Sequence, residues 1–101
     1  MFTVVVMYPA GGKFDLGYYM KTHMPLVDAR WRGLGLKDWT VTKINGAPNG
    51  APTYQVITTL TFDSGESFQK AVAAHGPEVM GDIPNFTDVQ AVMQLGEPVA
   101  A

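Results

Sequence analysis

From Phe2 to Tyr8 the chain is apolar on both alternating faces of an extended backbone. Phe2, Val4, Val6 and Tyr8 fall on one side, and Thr3, Val5 and Met7 on the other. Such a strand is expected to be covered on both sides, which an antiparallel sheet with one wet face does not require. Pro9-Ala10-Gly11-Gly12 then breaks it. Asp15 is placed to cap a helix through Tyr18, Tyr19 and His23, its carboxylate accepting free amide hydrogens of the first turn. Pro25, lacking an amide hydrogen, predicts a kink or restart near Met24. A second helical stretch, Leu26 to Trp31, is expected to end at Gly33-Leu34-Gly35, where glycine suits the left-handed geometry of a helix C-terminus. These glycines follow a helix, whereas a dinucleotide fingerprint needs a strand before and a helix after, so that motif is excluded.

Trp39 to Asn45 alternates as a strand, and Gly46-Ala-Pro-Asn-Gly-Ala-Pro52 reads as an irregular loop. Tyr54 to Phe62 is a further strand, with Tyr54, Val56, Thr58, Leu60 and Phe62 on one face. Asp63 or Ser64 caps a helix whose apolar stripe runs through Phe68, Ala71 and Val72, with Gly76-Pro77 predicting its end. A broken stretch, 78–86, precedes a last strand from about Thr87 to Leu95. The order βαββαβ is that of the ferredoxin-like split βαβ arrangement, an α+β fold in one domain spanning 1–101. Two helices would cover one face of the sheet. The other, carrying residues such as Val5, Met7, Thr59, Thr61 and Gln90 or their alternates, would be covered by a second copy packed sheet to sheet around a lumen.

Composition supports that covering. The apolar fraction is 47%, but the charged fraction of 16% lies well below the roughly 25% of a typical soluble domain. A homodimer is therefore expected. With no cysteine, disulfides, thiolate metal sites and a cysteine nucleophile are excluded. A net charge of −2 gives no phosphate-tracking surface, so no nucleic-acid partner is expected. The longest apolar run, Val4 to Tyr8, is far too short for a membrane span, and no signal peptide is legible. A cytoplasmic protein is the expectation.

Asp15, Tyr19 and His23 recur at every fourth position and share one helical stripe. Asp15 and His23 are separated by roughly 12 Å along a helix axis, so only Tyr19 could relay between them. His23 is the one member that exchanges a proton easily near neutral pH. It is a candidate general acid or base facing the lumen, or else a residue that pins the kink before Pro25. Tyr8 and Tyr54 could line a pocket or pack in the core, and Trp31 and Trp39 could stack on a ligand or on an interface. His75 suits a helix C-terminus. Two histidines 52 positions apart, without cysteine, make no metal site.

The residues Tyr8-Pro9, Phe14-Asp15, Tyr18-Tyr19 and His23-Met24-Pro25-Leu26-Val27, with the later Asp82-Ile-Pro-Asn-Phe86-Thr-Asp88, resemble the signature of the EthD family. The family is named for a protein associated with ethyl tert-butyl ether degradation. The resemblance implies a dimeric α+β barrel of ferredoxin-like protomers, within a superfamily that includes cofactor-free monooxygenases, isomerases and haem enzymes. The expected activity is cofactor-free proton-transfer chemistry (isomerisation, dehydration or oxygenation) on an apolar, cyclic or aromatic metabolite. The alternative is a non-catalytic protein that binds a hydrophobic compound. His23 and Tyr19 are the expected catalytic residues, with Tyr8, Asp15, Trp39, Tyr54 and Phe86 around the ligand. No cofactor or metal is expected.

Overall fold

A computed structural model of the chain describes residues 1–100. Four strands, β1 (Phe2–Pro9), β2 (Leu36–Lys43), β3 (Tyr54–Phe62) and β4 (Val92–Gly96), form one sheet in the order β2-β3-β1-β4. Every neighbouring pair is antiparallel. Between β1 and β2 lie α1 (Leu16–Tyr18), a π-helical turn (Tyr19–His23) and α2 (Met24–Trp31); α3 (Gly65–Gly81) joins β3 to β4. This is the ferredoxin-like βαββαβ fold. Its core lies between the helices and one sheet face, where Val4, Val6, Tyr8, Val56, Leu60 and Phe62 meet Tyr19, Met24, Val27, Trp31, Phe68 and Val79.

Proline and glycine shape the helices. The carboxylate of Asp15 accepts from the Tyr18 amide at 3.0 Å and so starts α1. Ahead of Pro25 the helix restarts at Met24, as expected, through a widened turn: the Met24 amide reaches back five residues to the Tyr19 carbonyl, and Pro25 occupies the first turn of α2, where no amide donor is needed. Gly35, at φ 112°, terminates the region as expected, whereas Gly33 keeps an ordinary backbone.

Three expected boundaries are corrected. The helix predicted to end at Gly76-Pro77 continues as α3 to Gly81, with Pro77 inside it and His75 consequently within the helix and not at its end. Val79 beyond the proline is buried, and the Arg30 guanidinium binds Glu78 in a two-point pair that ties α3 to α2. Burying Val79 is worth about 1.5–3 kcal/mol, which offsets most of the ~3 kcal/mol cost of an interior proline. β2 begins at Leu36, not Trp39, because Leu36 is drawn into the core and a bulge before Asp38 absorbs the extra residue. β4 begins at Val92, not Thr87, because polar side chains divert the preceding residues. Thr87 donates its hydroxyl to the Lys13 carbonyl, and Asp88 accepts from the Lys13 amide.

The second face of the sheet carries no helix. Val5, Met7, Ile57 and Val92 lie side by side on it, bordered by Thr40, Thr42, Thr59 and Gln94 in register. No helix among the described residues is long and apolar enough to cross a membrane.

Candidate functional site

The strand order sets the site. The first helical region and α3 both run back along the sheet, against the strands that precede them. The start of one helix therefore lies beside the end of the other. His23, buried at 4% exposure, thereby meets Asp82, which follows α3: the Nδ1 to Oδ2 distance is 2.9 Å. The other oxygen of Asp82 accepts from the Tyr18 hydroxyl at 2.6 Å and from the Asn85 amide at 3.0 Å. Burial tends to raise the Asp82 pKa, but the hydrogen bonds from Tyr18, Asn85 and His23 outweigh it and hold the carboxyl below its usual range. Asp82 is thus ionised and can only accept, so His23 Nδ1 carries the proton that joins them. Burial pushes the His23 pKa below its ordinary value, against the opposing pull of Asp82. At neutral pH the ring is therefore neutral. Its Nε2, which makes no hydrogen bond to the described residues, presents a lone pair.

His23 lines a cavity of about 50 Å³ between helices and sheet. Tyr8 and Thr58 come from the sheet, Tyr19, Met24, Val27 and Trp31 from the first helical region, and Val79, Met80, Ile83, Ala91 and Met93 close the far side. The Tyr19 hydroxyl and Thr58 Oγ1 are 2.5 Å apart. The Tyr19 ring stacks on His23 with centroids 5.3 Å apart, and Phe86 lies against the imidazole at 4.6 Å. Burial, then the neighbouring Tyr19, raises the Tyr8 pKa; burial also raises that of Tyr19, against hydrogen bonds to Thr58 and Tyr8. Both phenols stay protonated and act as hydrogen-bonding groups, not as bases.

The structure brings together His23, Tyr19 and Tyr8 of the expected set. Phe86 backs the histidine without forming the cavity wall. Asp15 is exposed at its cap, so the relay through Tyr19 does not form; the carboxylate partner of His23 is Asp82. Tyr54 pairs with Pro9 at the start of β3, away from the cavity. Trp39 donates its indole N–H to Asp28 at 3.0 Å, on a carboxylate that hydrogen bonds from Arg32 and Trp39 hold at a pKa of about 2. The cavity sits between the helices and the sheet of the chain itself. Asp82, Tyr18, Thr58 and Asn85 went unassigned in the sequence. Tyr18 and the Asp82-Ile-Pro-Asn stretch carried a signal only as part of the resemblance, and Thr58 carried none. No cluster of three potential metal ligands occurs among the described residues.

Fold and site together define a ferredoxin-like α+β protein that encloses a histidine–aspartate pair beside an apolar cavity. No family model and no curated protein matches the chain. Among solved structures, an EthD-like protein from Ralstonia eutropha JMP134 is 41% identical, over 98% of this chain and 92% of that one, with a TM-score of 0.88. The chain belongs to the EthD-like family. An ethyl tert-butyl ether degradation family protein from Bacillus halodurans C-125 is 24% identical, covers 98% of this chain and 99% of that one, and superposes with a TM-score of 0.71. SnoaB, a cofactor-independent oxygenase from Streptomyces nogalater, shares the fold at 12% identity, with 99% and 93% coverage and a TM-score of 0.64.

Proposed function

We propose that the protein is an enzyme that moves a proton to or from an apolar cyclic or aromatic metabolite, with His23 as the catalytic acid and base. The observation that carries this reading is the asymmetry of the imidazole. Nδ1 is held by an ionised carboxylate, while Nε2 is unbonded on a ring that lines an apolar cavity. A carboxylate behind the ring fixes the tautomer and stabilises the imidazolium formed when Nε2 takes a proton. The phenols of Tyr8 and Tyr19 would support the negative charge that proton removal leaves on a substrate oxygen. Such chemistry fits isomerisation, dehydration or oxygenation through a stabilised carbanion and calls on no cofactor. The cofactor-independent oxygenase of the same fold supports that choice. The active form on this reading is a cytoplasmic homodimer joined through the open sheet faces.

The test is deuterium exchange. Incubating cyclic ketones such as 2-tetralone in D2O with the protein should accelerate α-proton exchange above the buffer rate. His23→Gln should lose roughly 10²–10⁴-fold of that acceleration. A wild-type protein that binds such ketones yet never accelerates exchange would be a carrier and not an enzyme.

A further inference from the structure

Trp31 presents an anomaly that the proton-transfer pair does not explain. Its indole Nε1 is fully enclosed and has no hydrogen-bond partner among the described residues, and the residue, only 4% exposed, lines the His23 cavity. Leaving a buried donor unpaired is costly, and native structures rarely do so without a reason. Trp39, the other tryptophan, has its N–H satisfied by Asp28. We infer that Trp31 Nε1 is the polar anchor for a flat apolar ligand carrying a carbonyl oxygen, in a site that extends from the His23 cavity into the groove between α3 and β4. The inference rests on the proposed role of His23, because the two residues line the same cavity.

The dimensions require the extension. A cavity of about 50 Å³ is far smaller than the ~300 Å³ at which small-molecule sites begin. Trp31, Met80 and Met93 belong at once to this cavity and to a groove of about 410 Å³, whose wall is continued by Val72, Ala73 and Gly76 of α3. The partition between the two spaces is therefore made largely of methionine side chains, and Met80 is half exposed at 49%. Methionine is unbranched and turns about three bonds, so Met80 and Met93 can swing aside at little cost. Along α2, His23 and Trp31 are eight residues apart, roughly 12 Å, with Val27 between them on the same wall. A molecule of two or three fused rings can reach from the imidazole to the indole. Its body would meet aliphatic and methionine surface, and its oxygen the unpaired indole N–H.

Fluorene and 9-fluorenone differ only in a CH2 against a carbonyl, and serve as the probe pair. Calorimetric titration of the wild-type protein should show fluorenone bound roughly 3- to 10-fold more tightly, the worth of one ordinary hydrogen bond. Trp31→Phe keeps an aromatic side chain and removes the donor, and should abolish that preference. Should Trp31→Phe fail to fold, the wild-type indole N–H resonance decides: fluorenone should move it downfield, fluorene should not, and the Trp39 signal should stay put. Both probes should also shift the methyl signals of Met80 and Met93. If both compounds bind and shift the His23 ring signals without a ketone preference, or if the preference survives in Trp31→Phe, the anchor is overturned while the His23 site stands. Unmoved methionine methyls would overturn the extension into the groove. If neither probe binds, both the anchor and the ligand reading of the His23 cavity fall.

Discussion

His23 and Asp82 are 59 residues apart in the sequence, yet Nδ1 of one and Oδ2 of the other are 2.9 Å apart. The contact sets the tautomer on which the proposed base catalysis depends. In Asp82→Asn the new amide can donate to Nδ1 and drive the proton onto Nε2, which removes the lone pair from the cavity. Exchange activity should fall by roughly 10²–10⁴-fold. Tyr18→Phe removes one of the bonds that aim the carboxylate and should cost far less. Equal losses in the two variants, measured by deuterium exchange, would contradict this assignment of roles.

The same pair predicts how stability follows pH. Burial holds the His23 pKa below its ordinary 6.5. Above that value the ring is neutral in both folded and unfolded chains and contributes no pH dependence. Below it the unfolded chain takes up a proton that the folded site resists, so stability falls as pH drops from 6.5 through the folded pKa. Asp82, also depressed, contributes a second loss once pH passes below the ordinary carboxylate range. Thermal melts between pH 7.5 and 5 should show the first loss in the wild type and a shallower slope in His23→Gln. Identical slopes would show that His23 titrates alike in both states.

Gly35 should not tolerate a side chain. At φ 112° a Cβ would lie 2.6 Å from Ser67 Cβ and 2.8 Å from Asp63 Oδ1. Gly35→Ala should therefore destabilise by roughly 2–4 kcal/mol, from backbone strain and overpacking together. That is a drop in Tm of at least ~8 °C for a chain of this size. Gly33→Ala, with ordinary φ and nothing within 4 Å of its would-be Cβ, is the control and should melt close to wild type.

The bare sheet face predicts self-association. Val5, Met7, Ile57 and Val92 form an apolar centre with a threonine border, and a stable pair of copies should bury at least ~1,600 Å² in total. Sedimentation at micromolar concentration should give twice the mass of one chain, and Ile57→Lys should give one. A wild-type monomer under those conditions would leave the face without its expected occupant.

The βαββαβ order was legible because the signals that set it are local. Alternation marks β1 and β3, Asp15 and Ser64 cap the helices, and Gly35 ends one. Where the reading failed, a distant contact outweighed a local preference. Pro77 stays helical because Val79 finds a place in the core, and Thr87 leaves the strand because the Lys13 carbonyl needs a donor. The site divides in the same way. Tyr19 and His23 share a helical stripe that spacing alone exposes. Asp82 reaches His23 only because the topology sets the end of α3 beside the start of the first helical region. Nothing in the spacing of 59 residues announces that. Trp31 and Trp39 look alike in sequence, and only the position of Asp28 separates the satisfied indole from the unsatisfied one.

Because β1 lies between β3 and β4, the cavity depends on the most distant pairings in the fold. Val6 of β1 has Met93 of β4 beside it, and both face the cavity. A nascent chain that has docked β1, the first helices and β3 holds the imidazole without its carboxylate and a floor without its far wall. Closure waits for β4 to return across more than eighty residues and pair with β1. Pairings of that separation slow folding in proportion to the loop entropy they must overcome. The proposed reactivity at the imidazole thus needs the whole βαββαβ unit, and no N-terminal fragment should display it.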